Sequence, residues 1–261
     1  MKKFIMMLFI ALLILPQYAF AEKPVMISHS ETMTNVVFDG KWTFLEEWKY
    51  SSHNIIQYDS GEIIHLRSAH QEDFVFFMIN FISDTTLDTN MDRATICLEP
   101  YNEKNIKSDS NDYCFVAVFG SKSSHILQGG STSAISGNFK KIFSESGYVG
   151  IGNISDENDR YSKIPHVSYE FKIPTALINR TSEYGLYISV FDYSSEKLFT
   201  WPKEIQQSNS FQIPNPSLWG TMISPDKSLP EFDLPLVILI SLISSIILLQ
   251  KAPKTNLFKT L

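Results

Sequence analysis

Between Val36 and Phe191 the chain is a succession of short apolar runs set apart by polar, turn-rich segments. The runs are dense in β-branched and aromatic residues, and no stretch of ordinary helical length repeats at 3.6 residues. The pattern predicts strands over residues 36–38, 55–58, 62–68, 74–82, 94–98, 114–119, 148–153, 166–173 and 184–191. A short helical turn is expected over 175–180, after Pro174. Asp59-Ser60-Gly61 is a hairpin signal between two of the strands. Phe74-Val75-Phe76-Phe77-Met78-Ile79 is apolar on both faces, as a strand covered on both sides must be. Many short strands with turns between them predict an all-β sandwich or barrel.

Both ends depart from this pattern. Met1-Lys2-Lys3, the apolar run Phe4 to Leu15 and Ala19-Phe20-Ala21 have the organisation of a secretory signal peptide cut after Ala21. Near the other end, Leu234 to Leu249 is an uncharged apolar run of 16 residues. As a helix it covers roughly 24 Å of a hydrocarbon core about 30 Å thick, and Phe232 and flanking lysines extend it at the interfaces. Only Lys251, Lys254 and Lys259 follow, which puts the tail in the cytoplasm and the bulk of the chain outside. The expected organisation is a signal peptide (1–21), an N-terminal extension (22–35), a β domain (36–224), a proline-bearing stalk (225–233), a membrane helix (234–249) and a basic tail (250–261).

Charge narrows the partners. Residues 22–233 hold 28 acidic side chains against 17 basic ones, a balance that excludes nucleic acid and an anionic membrane surface as partners of the outer domain. Hard cations remain open. Asp84, Asp88 and Asp92 recur every fourth residue, Asp109 and Asp112 share a loop, and Asp156 and Asp159 share another. Calcium takes several oxygen ligands from loops of this kind, so these seven aspartates are the candidate calcium ligands. Cys97 and Cys114 lie in two strands joined by a polar loop, and are either a disulfide formed outside the cell or two buried thiols. Asn153-Ile154-Ser155 and Asn179-Arg180-Thr181 are N-glycosylation sequons.

Catalytic motifs are missing. The sequence holds no H-E-x-x-H, G-x-S-x-G or P-loop, and its six histidines are scattered. Gly147, Gly150 and Gly152 do not have the order of a dinucleotide loop and read as a strand where backbones approach closely. A non-enzymatic binding role is therefore expected. Sugars stack their apolar faces on aromatic rings while polar side chains take the hydroxyls. Trp42 and Trp201 are the candidate exposed platforms, whereas Trp48 and Trp219 read as structural.

Phe38-Asp39-Gly40-Lys41-Trp42 with Glu47-Trp48, Asp92-Arg93-Ala94-Thr95-Ile96-Cys97, Tyr169-Glu170-Phe171-Lys172-Ile173-Pro174, Tyr184 to Asp192, Trp201-Pro202 and Pro216 to Gly220 together resemble carbohydrate-binding-module family 9 and the related DOMON-like domains. The resemblance spans roughly residues 36–224 and implies a jelly-roll-like antiparallel β-sandwich. That fold hosts sugar binders, haem-binding electron-transfer domains and domains without a known ligand. Pro230-Glu231-Phe232 before an apolar helix and a basic tail resembles the PEF-type C-terminal sorting signals of archaea, which implies an archaeosortase-like processing enzyme as a partner; the tail, longer than is usual for such signals, fits retention as an anchor equally. The expectation is a cell-surface, membrane-tethered module for an extracellular glycan. A structural or adhesion protein without a small ligand is the alternative, and a haem domain using Met78 and a histidine is a third.

Overall fold

The computed structural model describes residues 22–121, 124–132, 137–142, 147–203, 205 and 212–225. The expectations placed on the signal peptide, on the stalk beyond Pro225, on Pro230-Glu231-Phe232, and on the apolar run and tail lie outside these residues. Among the described residues no helix is long and apolar enough to cross a membrane.

The described chain is a two-layer β-sandwich. Its strands are β1 (Val25–Met26), β2 (Ser28–His29), β3 (Ser52–Gln57), β4 (Ile63–Gln71), β5 (Phe74–Phe81), β6 (Arg93–Pro100), β7 (Tyr113–Val118), β8 (His125–Gln128), β9 (Lys140–Ile142), β10 (Val149–Ile154), β11 (Val167–Pro174), β12 (Glu183–Asp192), β13 (Lys197–Trp201) and β14 (Gly220–Ile223). One α-helical turn, α1 (Thr175–Ile178), follows β11. One sheet has eight strands in the order β1-β14-β12-β6-β7-β8-β9, with β13 also paired to β12; the other has six, in the order β10-β11-β5-β4-β2, with β3 also paired to β4. Pairing is antiparallel except for β1 with β14 and β2 with β4.

Alternation along each strand decides what lies between the layers. Ala94, Ile96 and Leu98 of β6, Phe115 and Ala117 of β7 and Leu186, Ile188 and Val190 of β12 face Leu66, Phe77, Ile79, Tyr169 and Phe171 of the other sheet in one continuous core. The β3–β4 turn has the expected hairpin, with Tyr58 N donating to Glu62 O at 2.9 Å and Gly61 at φ +103°. Gly152 is a close approach: a Cβ there would lie 2.6 Å from Cδ1 of Tyr169 and 3.0 Å from Cα of Phe119.

The N-terminal end of the domain differs from expectation. Residues 22–35 are not an appendage, because Val25–Met26 joins the eight-stranded sheet and Ser28–His29 the six-stranded one, with Ile27 buried between. Residues 36–38 form no strand. Val37 N instead donates to Oε1 of Glu47 at 2.8 Å, and Phe38 packs on Phe76. This segment folds over the outer face of the six-stranded sheet and covers a second core of Met33, Val36, Trp42, Trp48, Ala69, Phe76 and Met78. Met78 is fully packed there as a core side chain.

Two carboxylates hold the cover down. Oε2 of Glu170, on β11, accepts Asp39 N at 3.0 Å and Gly40 N at 2.8 Å, while Oε1 accepts Nε1 of Trp48 at 2.8 Å. Glu47 accepts Val37 N and, at 2.7 Å, Thr43 N. The Asp-Gly, Glu-Trp and Tyr-Glu-Phe segments are thus one structural clamp. Burial pushes the Glu170 carboxyl well above the ordinary carboxylate range, and the bonds from Trp48 and Gly40 oppose that shift.

Candidate functional site

The outer face of the eight-stranded sheet carries an open groove of about 390 Å³. Its floor follows from register. Tyr187, Cys97, Cys114 and Leu127 form one row across β12, β6, β7 and β8; Ser189, Thr95, Val116 and His125 form the next; Phe191, Arg93 and Val118 form the third. The first row is tied by a Cys97–Cys114 disulfide between directly paired residues. Phe139, Ile213 and Trp219 close the end beside this row, with the Trp219 and Tyr187 rings stacked at 6.4 Å. Asn90, Met91 and Tyr193 form the lip at the opposite end. Met91 and Tyr193 are 43% and 45% exposed, so the lip offers solvent an apolar side chain and an aromatic ring. Arg93 lies over the Phe191 ring, its guanidinium carbon 4.4 Å from the centroid. Among the described residues no carboxylate lines the groove.

The tryptophans expected as platforms are elsewhere. Trp42 is 1% exposed and Trp201 3%. Trp42 is sealed under Arg67, Arg160 and Tyr161, with Nε1 donating to Phe44 O at 2.6 Å. Trp201 lies in the inter-sheet core, and Gly220 packs directly beneath its ring. In both cases the apolar area of the ring is used to close a core, which outweighs what exposure would leave to water.

The candidate calcium ligands separate into four places. Asp156 pairs with Lys41 at 2.5 Å. Asp159 accepts Tyr161 N and Ser162 N on one oxygen and Nδ2 of Asn80 on the other. Asp112 accepts Asp109 N, and Asp109 accepts Asn111 N within the same turn. These four are loop fasteners whose oxygens face neighbouring donors. Asp84 and Asp92 do converge, and the third member is Asp192, which spacing could not reveal because it lies a hundred residues on: one oxygen of each of the three lies within 4.8 Å of the others. All three are buried, at 2%, 0% and 8% exposure. Burial, with Asp192 and Asp92 nearby, raises Asp84 to about 7, and burial raises Asp92 to about 6. Asp88 flanks the group, its N–H donating to Oδ2 of Asp92 at 2.9 Å.

The sequons sit differently. Asn179 is exposed directly after α1. Asn153 is half-buried, and its Nδ2 donates to Asp39 O at 2.8 Å.

The groove itself went unread in the sequence, although its signal is there. Arg93-x-Thr95-x-Cys97 and Tyr187-x-Ser189-x-Phe191 mix polar and large side chains on one face of neighbouring strands.

No protein-family pattern matches the chain, and no curated protein matches it in sequence. Solved structures do. A carbohydrate-binding module of family 9 from Caldicellulosiruptor kristjanssonii in complex with cellotriose superposes with a TM-score of 0.51 at 14% identity, over 80% of this chain and 96% of that one. A family 9 module from the same organism in complex with glucose gives 0.52 at 13% identity, over 80% and 98%. At such identities the likeness speaks of architecture alone: the chain has a fold like that of the family 9 carbohydrate-binding modules.

Proposed function

We propose that the chain is a non-catalytic glycan-binding module and that the groove on the eight-stranded sheet is its binding site. The observation that carries this reading is the composition of the groove: an exposed Tyr193 ring and Met91 at the lip, with Asn90, Arg93, His125, Ser189 and Gln212 along its length. Tyr193 supplies a stacking surface for the apolar face of a sugar, and the polar side chains take its hydroxyls. The solved modules of like fold hold cellotriose and glucose, so β-linked glucans are the first ligands to try. Titration calorimetry of the purified protein against cellotriose and a panel of soluble polysaccharides should give saturable binding. Tyr193→Ala should weaken it at least tenfold, about 1.4 kcal/mol. A panel without binding, or binding unmoved by Tyr193→Ala and Arg93→Ala, would remove the groove from consideration.

Export and tethering belong to the same reading, with support from the leader-like residues 1–21 and from the apolar run and lysines after Pro230-Glu231-Phe232. The module would then act outside the cell, either held by that apolar run or released from it by a sorting enzyme. Mass spectrometry of the surface-bound protein separates the two: a peptide containing Lys259 means retention, and a terminus near Phe232 means processing.

A further inference from the structure

We infer that Asp84, Asp92 and Asp192 form a calcium site that fastens the lip of the groove. The donors are all carboxylate oxygens, a hard set without nitrogen or sulfur, and they lie within 4.8 Å of one another. Oxygens that close can be reached by one ion at the roughly 2.3–2.6 Å of a calcium–oxygen bond, and calcium accepts carboxylates in flexible geometry where magnesium demands a near-ideal octahedron.

Two independent features point to a missing positive ligand. Oδ2 of Asp84, a side chain only 2% exposed, has no hydrogen-bond partner. The hydroxyl of Tyr169, whose side chain is fully buried and lies within range of the charges of Asp84, Asp92 and Asp192, has none either. A buried carboxylate oxygen without a donor costs far more than one facing a cation.

The rest of each carboxylate is already positioned. Oδ1 of Asp84 accepts the N–H and hydroxyl of Thr86 at 3.2 and 3.1 Å. Oδ1 of Asp192 accepts Ser194 N at 2.9 Å, and its Oδ2 accepts Oγ of Ser195 at 2.7 Å. Oδ1 of Asp92 accepts Tyr193 N at 2.9 Å. These donors are neutral amides and hydroxyls, which orient three like charges without cancelling them; the Arg93 guanidinium, which feels Asp92, offsets only part of that charge. Asp88, whose Oδ2 is also unpartnered, stands beside the group as a fourth carboxylate.

The position gives the ion a role. Asp92 and Asp192 are the residues immediately outside Arg93 and Phe191 in the groove's third row, and the segments they anchor carry Asn90, Met91 and Tyr193. Calcium would tie the 84–92 loop to the turn after β12 and so fix the lip. The site stands on its own geometry, whereas its effect on sugar affinity rests on the groove being the binding site.

The test uses the purified full chain, freed of metal with chelator and titrated with calcium chloride alone. One binding event with a Kd of about 10⁻⁴ M or tighter is expected, together with a rise in Tm that magnesium at the same concentration does not reproduce. Asp84→Asn and Asp192→Asn should each weaken calcium binding at least tenfold, while Asp109→Asn leaves it unchanged. Near-ultraviolet circular dichroism verifies that each variant is folded; should both cluster variants fail to fold, the calcium heat and the Tm rise of the parent chain decide. No heat and no Tm response in the folded parent chain overturns the site, as do folded cluster variants that bind like the parent. Calcium binding without any glycan binding leaves the ion assigned and removes only the coupling. Glycan affinity that falls about tenfold in chelator supports both.

Discussion

Glu170 shows what a single residue can decide. Its carboxylate receives two backbone N–H groups and an indole N–H from a segment more than a hundred residues earlier in the chain. Glu170→Ala would leave all three donors unpaired in a dry interior, and a loss of about 4 kcal/mol is expected from the urea midpoint. Glu170→Gln keeps an acceptor but turns an amide NH2 towards donors, and should cost about half as much. The Tyr-Glu-Phe and Asp-Gly segments were legible as marks of the fold, because such residues stand out in any strand or turn. That they meet was not legible, since nothing in a linear spacing reports a contact across 130 residues. The same blindness explains why Trp42 and Trp201 read as exposed: a tryptophan beside polar residues looks like a platform until the element that covers it is known. Asp192 was missed for the converse reason, since its partners Asp84 and Asp92 come from a distant loop.

At the scale of elements, the long apolar strands β4, β5, β6, β7, β11 and β12 were legible within a few residues, because each is buried densely enough to show in its own composition. The short strands β1, β2, β8, β9 and β14, at or next to the sheet margins, were not. Two to four residues hold no periodicity, and their pairing is set by the neighbour that receives them. Strand pairing also creates features that no segment contains alone. On β3 and β4, His53 and His65 approach at 3.0 Å between ring nitrogens, and His65 stacks on Tyr161 at 3.8 Å. Burial, with Arg67 and His65 as neighbours, lowers His53 to about 4, and burial also lowers His65. A lowered histidine means that the unfolded chain takes the proton first. The pair therefore adds nothing against unfolding above pH 6.5 and weakens the fold as pH falls from 6.5 towards 4. Proton NMR titration of the imidazole resonances should place His53 near 4 and His65 below 6.5; a value of 6.5 for both would mean that the stack is open in solution.

The whole molecule divides its two outer faces between different tasks. The six-stranded sheet is roofed by the 30–50 segment and its tryptophans, which turns that face into a second core. The eight-stranded sheet keeps its middle open, with the disulfide row at one end of the groove and the aspartate cluster at the other. The β-sandwich class was reachable from the pattern of strands, but which outer face stays uncovered was not, because it depends on which sheet the long N-terminal loop folds across. The first and last described strands, β1 and β14, lie side by side and run the same way, with Val25 opposite Met222 and Met26 opposite Ile223. Tension applied between the two ends of the domain therefore does not peel this pair apart one bond at a time. It drags the strands lengthwise past each other, so that the bonds joining them, including Ile27 N to Ile223 O at 2.9 Å, must give way together. Under a load carried between its two ends, the seam between the first and last described strands is a mechanical latch.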